Sequence, residues 1–177
     1  MISVSKSLVL ALALLSTVVG TGCGRPFDVK TGKDFAELRD QENEGFEYRA
    51  MTPEGVAVSI RAIPNEQKAD LGFWTKAITL KLREQDGYAL LGEDAVTSKN
   101  GTPGRRLRLA REEGKKTYDY RVTVYLAQGR IYVVESGGAR EEFAKAKGTV
   151  EQMESSVAVQ CKSWLAPVFA SRTCNRW

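Results

Sequence analysis

No histidine occurs anywhere in the 177 residues. The side chain that most often acts as a general base near neutral pH, and that most often binds metals, is therefore missing. There is no phosphate-cradling loop of the G-x-x-x-x-G-K type, because Gly101 with Gly104, and Gly137 with Gly138, have the spacing of turns. A Gly-x-Ser-x-Gly elbow is absent as well. Adjacent acids occur at Glu112-Glu113 and Glu141-Glu142, but neighbouring side chains point in different directions. The first pair is expected in a turn, and the second opens a helix, where acids favour the macrodipole. These absences leave no basis for catalytic residues, a metal site or a cofactor, and a non-enzyme is expected. Net charge is also low: 26 Lys+Arg against 22 Asp+Glu give +4.

What is present begins at the amino terminus. Residues 1–7 carry one positive charge, Lys6, and residues 8–19 (LVLALALLSTVV) form an apolar run. Twelve residues are too few to span a bilayer and have the proportions of the apolar core of a secretory signal. Gly20-Thr21-Gly22 then leads into Cys23. Small residues directly before a cysteine resemble the lipobox of bacterial lipoproteins, which implies that Cys23 is diacylated and becomes the first residue. Gly20 stands where the lipobox usually has leucine, and Gly20-x-Gly22 also satisfies an ordinary signal peptidase, so secretion without a lipid is the alternative. Residues 1–22 are read as the signal peptide and 23–34, polar with glycine and proline, as a lipidated tether. Gly24 after the cysteine is not acidic, so nothing retains such a protein in the inner membrane. The expected address is the cell envelope, and the outer membrane if the cell has two.

Removing residues 1–22 leaves 155, enough for one domain with a substantial core. Three cysteines are an odd count, but lipidation of Cys23 leaves an even pair, Cys161 and Cys174. In an oxidising envelope that pair is expected to form a disulfide, worth roughly 3 kcal/mol in the chain-entropy model. The alternative, a two-cysteine metal site, would need two carboxylates to complete it. The tail, residues 161–177, carries Trp164, Leu165, Val168, Phe169 and Trp177 and is expected to dock on the domain, closed by the disulfide.

The domain itself, residues 35–160, alternates between two periods. Residues 35–44 suit either one helical turn or an edge strand. Phe46, Tyr48 and Ala50 alternate with charged residues, Thr52-Pro53-Glu54-Gly55 has turn chemistry, and Val56, Val58, Ile60 and Ala62 return, which predicts a hairpin. Across residues 66–85 the period changes, with Leu71, Trp74, Ile78 and Leu82 on one helical stripe. Asp70 is a candidate cap, and Asp86-Gly87 a stop. Trp74 sits on the stripe, where core packing is expected. Strands follow over 88–97, broken near Gly92, over 104–111 and over 116–126. A two-residue turn at Glu113-Gly114 would set Leu109 opposite Tyr118, Leu107 opposite Tyr120 and Arg108 opposite Asp119. A second turn at 127–130 would set Val124 against Val133, Leu126 against Ile131, Tyr125 against Tyr132 and Thr123 against Val134. The strand over 131–135 is expected to break at Ser136-Gly137-Gly138, and a helix over 139–153 carries Phe143, Ala146, Val150 and Met153. Because both faces of the central strands carry bulky residues, helices are expected on both faces of the sheet: an α+β fold, an antiparallel sheet in an α/β/α sandwich.

Charge is unevenly placed. Residues 24–100 hold 11 basic and 14 acidic side chains, and 101–177 hold 14 and 8. Much of the excess crowds into one hairpin, where Arg106, Arg108 and Arg121 share a face and are candidates for contact with an anionic surface. A solvated sheet face that blocks aggregation is the plainer explanation. Nucleic acid is not expected as a partner of an exported protein.

The order of a hairpin, a helix with Trp74, antiparallel strands ending in YDYRVTVYLAQGRIYVVESG and a helix from Ala139 resembles the Mog1/PsbP fold over residues 45–159. That group contains the photosystem subunit PsbP, the nuclear-transport factor Mog1 and bacterial lipoproteins. The resemblance implies a binding or accessory subunit for an envelope protein or component, held at the membrane through a lipid anchor. A carrier of a small hydrophobic ligand between sheet and helix is the alternative, and its mark would be an open apolar pocket near Trp74 and the tyrosines of the sheet.

Overall fold

The structure, a computed structural model, describes residues 25–38 and 45–159. The signal peptide, Cys23, Cys161 and Cys174 lie outside the described residues. In chain order the elements are β1 (Phe27–Asp28), β2 (Ala36–Glu37), β3 (Tyr48–Met51), β4 (Ala57–Pro64), α1 (Leu71–Glu84), β5 (Ala89–Thr97), β6 (Pro103–Glu113), β7 (Lys116–Ala127), β8 (Arg130–Ala139), α2 (Arg140–Ser156) and β9 (Ala158–Val159). Seven strands form one antiparallel sheet in the order β2-β3-β4-β8-β7-β6-β5, and β1 pairs with β9 in a second, two-stranded sheet.

Two apolar clusters hold the helices to the large sheet. In the first, Leu82 of α1 joins Leu107, Leu109, Val122, Val124, Ile131 and Val133, with Leu71, Trp74 and Ile78 packed against them. In the second, Phe143, Val150 and Met153 of α2 join Tyr48, Val58, Ile60, Tyr125, Tyr132 and Val134. Along β7 the membership alternates, Val122 and Val124 in the first and Tyr125 and Ala127 in the second, as the period-two pleat of a strand requires. The helix stripes therefore read as expected from the sequence. Asp70 caps α1, its carboxylate accepting from the Phe73 amide at 2.7 Å. Residues 36–37 settle as an edge strand on β3.

The β7–β8 hairpin has the expected register, with Thr123 opposite Val134, Val124 opposite Val133, Tyr125 opposite Tyr132 and Leu126 opposite Ile131. The β6–β7 hairpin does not. Glu113 pairs with Lys116, so the turn is Gly114-Lys115, and Leu109 faces Tyr120, Leu107 faces Val122 and Arg108 faces Arg121. Gly114 has φ +62, and a glycine with positive φ at the first central position is what a II′ hairpin loop demands. The expected turn had placed it second. Because the slip is two residues, one full pleat, every side chain kept its face while every partner changed.

The other corrections concern where strands end. Ser136-Gly137-Gly138 does not break β8, which runs to Ala139, with Gly137 paired to Ala57 on one side and Tyr120 on the other. A Cβ on Gly137 would lie 2.8 Å from the Tyr120 ring, so this glycine serves close packing and not a turn. Residues 25–34, expected in a tether, are docked: Phe27 is 2% exposed and pairs with Val159, and Tyr48 donates its hydroxyl proton to Thr31 at 3.0 Å.

Candidate functional site

The three arginines singled out in the hairpin are brought close to acids of the chain itself. Glu154, on the last turns of α2, is 3% exposed. It accepts from the Ser136 hydroxyl at 2.6 Å, and Arg106 and Arg121 reach its other oxygen at 3.1 and 3.4 Å. Arg121 also lies over the Phe143 ring, 5.1 Å from its centre, and reaches Glu151 at 3.4 Å. Arg108 turns to Asp94 of β5 at 2.9 Å. Arg106 and Arg121 thus tie α2 to the sheet. Sequence reasoning missed Glu154 because its partners are 18 to 48 positions away in sequence and only the packing of α2 joins them.

A different group of residues lines a concavity on the β4–β8 surface. A hollow of about 350 Å³ has Ala57, Ser59, Glu135 and Gly137 along β4 and β8, with Tyr88, Tyr118, Tyr120 and Arg111 on its other side. A second, of about 260 Å³, has Arg61, Ile63, Trp74, Ile78, Leu82, Ile131 and Val133, and shares Glu135 with the first. The two form one groove, polar and tyrosine-lined at one end and apolar beside α1 at the other. Glu135 is at the join. It is ion-paired to Arg61, accepts from the Ser59 hydroxyl at 3.4 Å, and is hydrogen-bonded to Tyr120. Arg61 rests over the Phe46 ring, 5.0 Å from its centre, and its Nε has no hydrogen-bond partner among the described residues.

The polar end is built by stacking. The Tyr88 and Tyr120 rings are 5.1 Å apart, Arg111 covers Tyr88 at 5.4 Å, and Arg111 is in turn bonded to Glu113 at 2.8 Å. Gly137 makes this arrangement possible, since any side chain there would displace the Tyr120 ring. Trp74 joins the apolar core as expected, and its indole N–H donates to Asn65 at 3.0 Å. Among the described residues no group of three or more His, Cys, Asp or Glu side chains could hold a metal ion, and no helix is long and apolar enough to cross a membrane.

The tyrosines give the fold a pH signature. Burial raises the phenol of Tyr120 well above its ordinary value, Glu135 beside it adds to the effect, and burial pushes Tyr125 up to about 12. Tyr48 and Tyr132 are raised for the same reason. A raised phenol stays neutral in the folded chain while the unfolded chain ionises near 10, so stability is intact below that pH and falls as the pH climbs from about 10 towards about 12. Denaturant melts across this window are expected to show a steady loss, with phenolate absorbance appearing together with unfolding. Full tyrosine ionisation at about pH 10 in a chain that remains folded would contradict the burial argument.

The sequence matches no family model and no curated protein. The architecture does have neighbours. It superposes on LpqN of Mycobacterium tuberculosis, a protein involved in cell envelope biogenesis, at a TM-score of 0.57 and 13% identity, over 74% of this chain and 81% of that one. Cyanobacterial PsbP from Synechocystis matches at 0.52 and 14% identity, over 78% and 95%. The Ran-binding protein Mog1p of Saccharomyces cerevisiae matches at 0.51 and 13% identity, over 76% and 90%. The fold is Mog1/PsbP-like. At these identities the likeness extends to the fold, and in the Mog1/PsbP-like frame of this chain the groove runs along the β4–β8 surface beside α1.

Proposed function

We propose that this chain is a lipid-anchored protein of the cell envelope, attached through Cys23, whose Mog1/PsbP-like domain binds an envelope protein or component and carries out no catalysis. The observation that carries the reading is the groove. Its charged groups already have partners, Glu135 in Arg61, Arg111 in Glu113, Asp119 in Arg140 and Lys81 in Asp86, and the rest of the lining is tyrosines, serines, glycines and apolar side chains. Such a lining recognises a partner by shape and hydrogen bonding. The fold neighbours support the reading by analogy, one being involved in envelope biogenesis and another being a Ran-binding protein. The alternating membership of the two clusters along β7 supports a helix over each face of the sheet, the α/β/α sandwich.

The test is crosslinking and capture from intact membranes, using the full chain and its Cys23→Ala variant. One envelope partner recovered with the parent chain and lost with the variant is the expected outcome. Blanks from both would count against the reading. In the same material Cys161 and Cys174, proposed as a disulfide, should resist alkylation until reductant is added; two thiols that alkylate freely would remove the bridge. The apolar end of the groove beside Trp74 favours a second reading, a carrier of a small hydrophobic ligand. Solvent extraction of the purified protein would then release one lipid-like compound near equal stoichiometry, and an empty extract would end that reading.

A further inference from the structure

Of the five large apolar residues exposed among the described residues, Ile63 lies on β4 and the other four lie on α1 and β5. Phe73 (55% exposed) and Leu80 (41%) lie on α1, and Leu90 (37%) and Leu91 (57%) lie on β5, the terminal strand of the sheet and in contact with α1. Phe73 and Leu80 are seven positions apart, two helical turns, and so lie on one stripe, opposite the buried Thr75 and Leu82. Leu91 sits at the register shift of β5, where the bulge takes it out of the pairing.

Three of the four charged side chains of α1 are basic, and the fourth, Glu84, follows Leu80 by four residues at the C-terminal end of the stripe. Lys76 and Arg83, also seven apart, flank it on one side and Lys81 flanks it on the other; Glu84 is the only acid in the helix. Lys81 is paired with Asp86 at 2.9 Å, whereas Lys76 and Arg83 form no ion pair among the described residues. The β5 acids beside it are already met, Glu93 by Arg105 and Asp94 by Arg108. Unlike the arginines of the hairpin, Lys76 and Arg83 therefore face outward without an ion pair among the described residues.

We propose that the outward face of α1, with Leu90 and Leu91 beside it, is a contact surface for a membrane of anionic lipids. An aromatic and a leucine at the centre of a helical face, with long cationic side chains at its margins, is the layout of a helix lying in the headgroup region: the apolar groups enter the acyl boundary and the lysine and arginine stems reach up to the phosphates. Lys76 and Arg83, which have no acidic partner among the described residues, match an anionic lipid surface by charge. This contact is separate from the proposed attachment through Cys23, and it borders the groove at Lys81. It sets which side of the domain meets the bilayer.

The test uses the full chain with Cys23→Ala, bound to bilayer discs that contain nitroxide-labelled lipid, with amide signals followed by NMR. In discs of phosphatidylcholine and phosphatidylglycerol, amides near Phe73, Leu80 and Leu91 are expected to lose at least twofold more intensity than amides of α2. The difference should shrink at high salt and vanish in Lys76→Glu/Arg83→Glu, whose changes are on exposed positions of the helix. The variant Phe73→Ser/Leu80→Ser should retain its circular dichroism and lose most of the effect. Equal broadening on α1 and α2, equal broadening in phosphatidylcholine alone, or α1 shifts that track protein concentration and not lipid (a second copy of the chain on this face) would each overturn the proposal.

Discussion

Glu154→Ala is expected to destabilise the domain by about 3–5 kcal/mol, the cost of leaving buried charges without their partner. The carboxylate is 3% exposed and holds three donors, the Ser136 hydroxyl and the guanidinium groups of Arg106 and Arg121. Those two arginine side chains are only 22% and 13% exposed, so without Glu154 they confront each other in a poorly hydrated space with Glu151 left beside Arg121 alone. Glu154→Gln keeps the acceptor for Ser136 and loses the charge, and an intermediate loss of about 1–3 kcal/mol is expected. Urea melts of the two variants against the parent chain measure both. An alanine variant with an unchanged midpoint would mean that α2 is held by its apolar stripe alone.

Phe27→Ala should cost a comparable amount, about 3–5 kcal/mol, as a fully buried aromatic removed from a packed site. Phe27 is 2% exposed in the cluster that also contains Val157 and Val159. The contacts that hold it there come from the segment after α2 and from the β5–β6 loop. β1 pairs with β9, the Lys30 amide donates to the Ser156 hydroxyl at 2.9 Å, and Asn100 accepts from the Val159 amide at 3.0 Å. A flexible tether would make the substitution silent. The melting midpoint of the variant distinguishes the two directly, and a change within error would return residues 25–34 to the role of a linker.

The two predictions bear on what could be read in advance. Phe27 lies among glycine, proline and charged residues, so nothing local marks it as core; its burial depends on the strand that follows α2, some 130 residues later. Glu154 falls four residues after Val150 and eleven after Phe143, at the margin of the apolar stripe of α2, but only the packing of α2 sets it against Ser136 and the arginines. Glu135, Tyr120, Arg61 and Ser59 come from three strands and have no common spacing, so the groove left no trace in the linear pattern. The acidic partners of the hairpin arginines, Glu154 and Asp94, were illegible for the same reason, since they belong to other elements.

By itself the sequence determined most of the long elements and their faces, but not β1 or the end of β8. Period and turn chemistry are local, and they placed α1 with its Asp70 cap, the apolar stripe of α2 and the β7–β8 register. They also assigned the correct face to every residue of the β6–β7 hairpin while missing its register by one pleat, because a period-two pattern is unchanged by a two-residue slip. Tertiary structure alone decided which charges meet, which glycines serve packing, and which apolar residues of α1 and β5 remain in solvent. Each of those depends on distances between segments far apart in the chain, and hydrophobic periodicity carries no information about such distances.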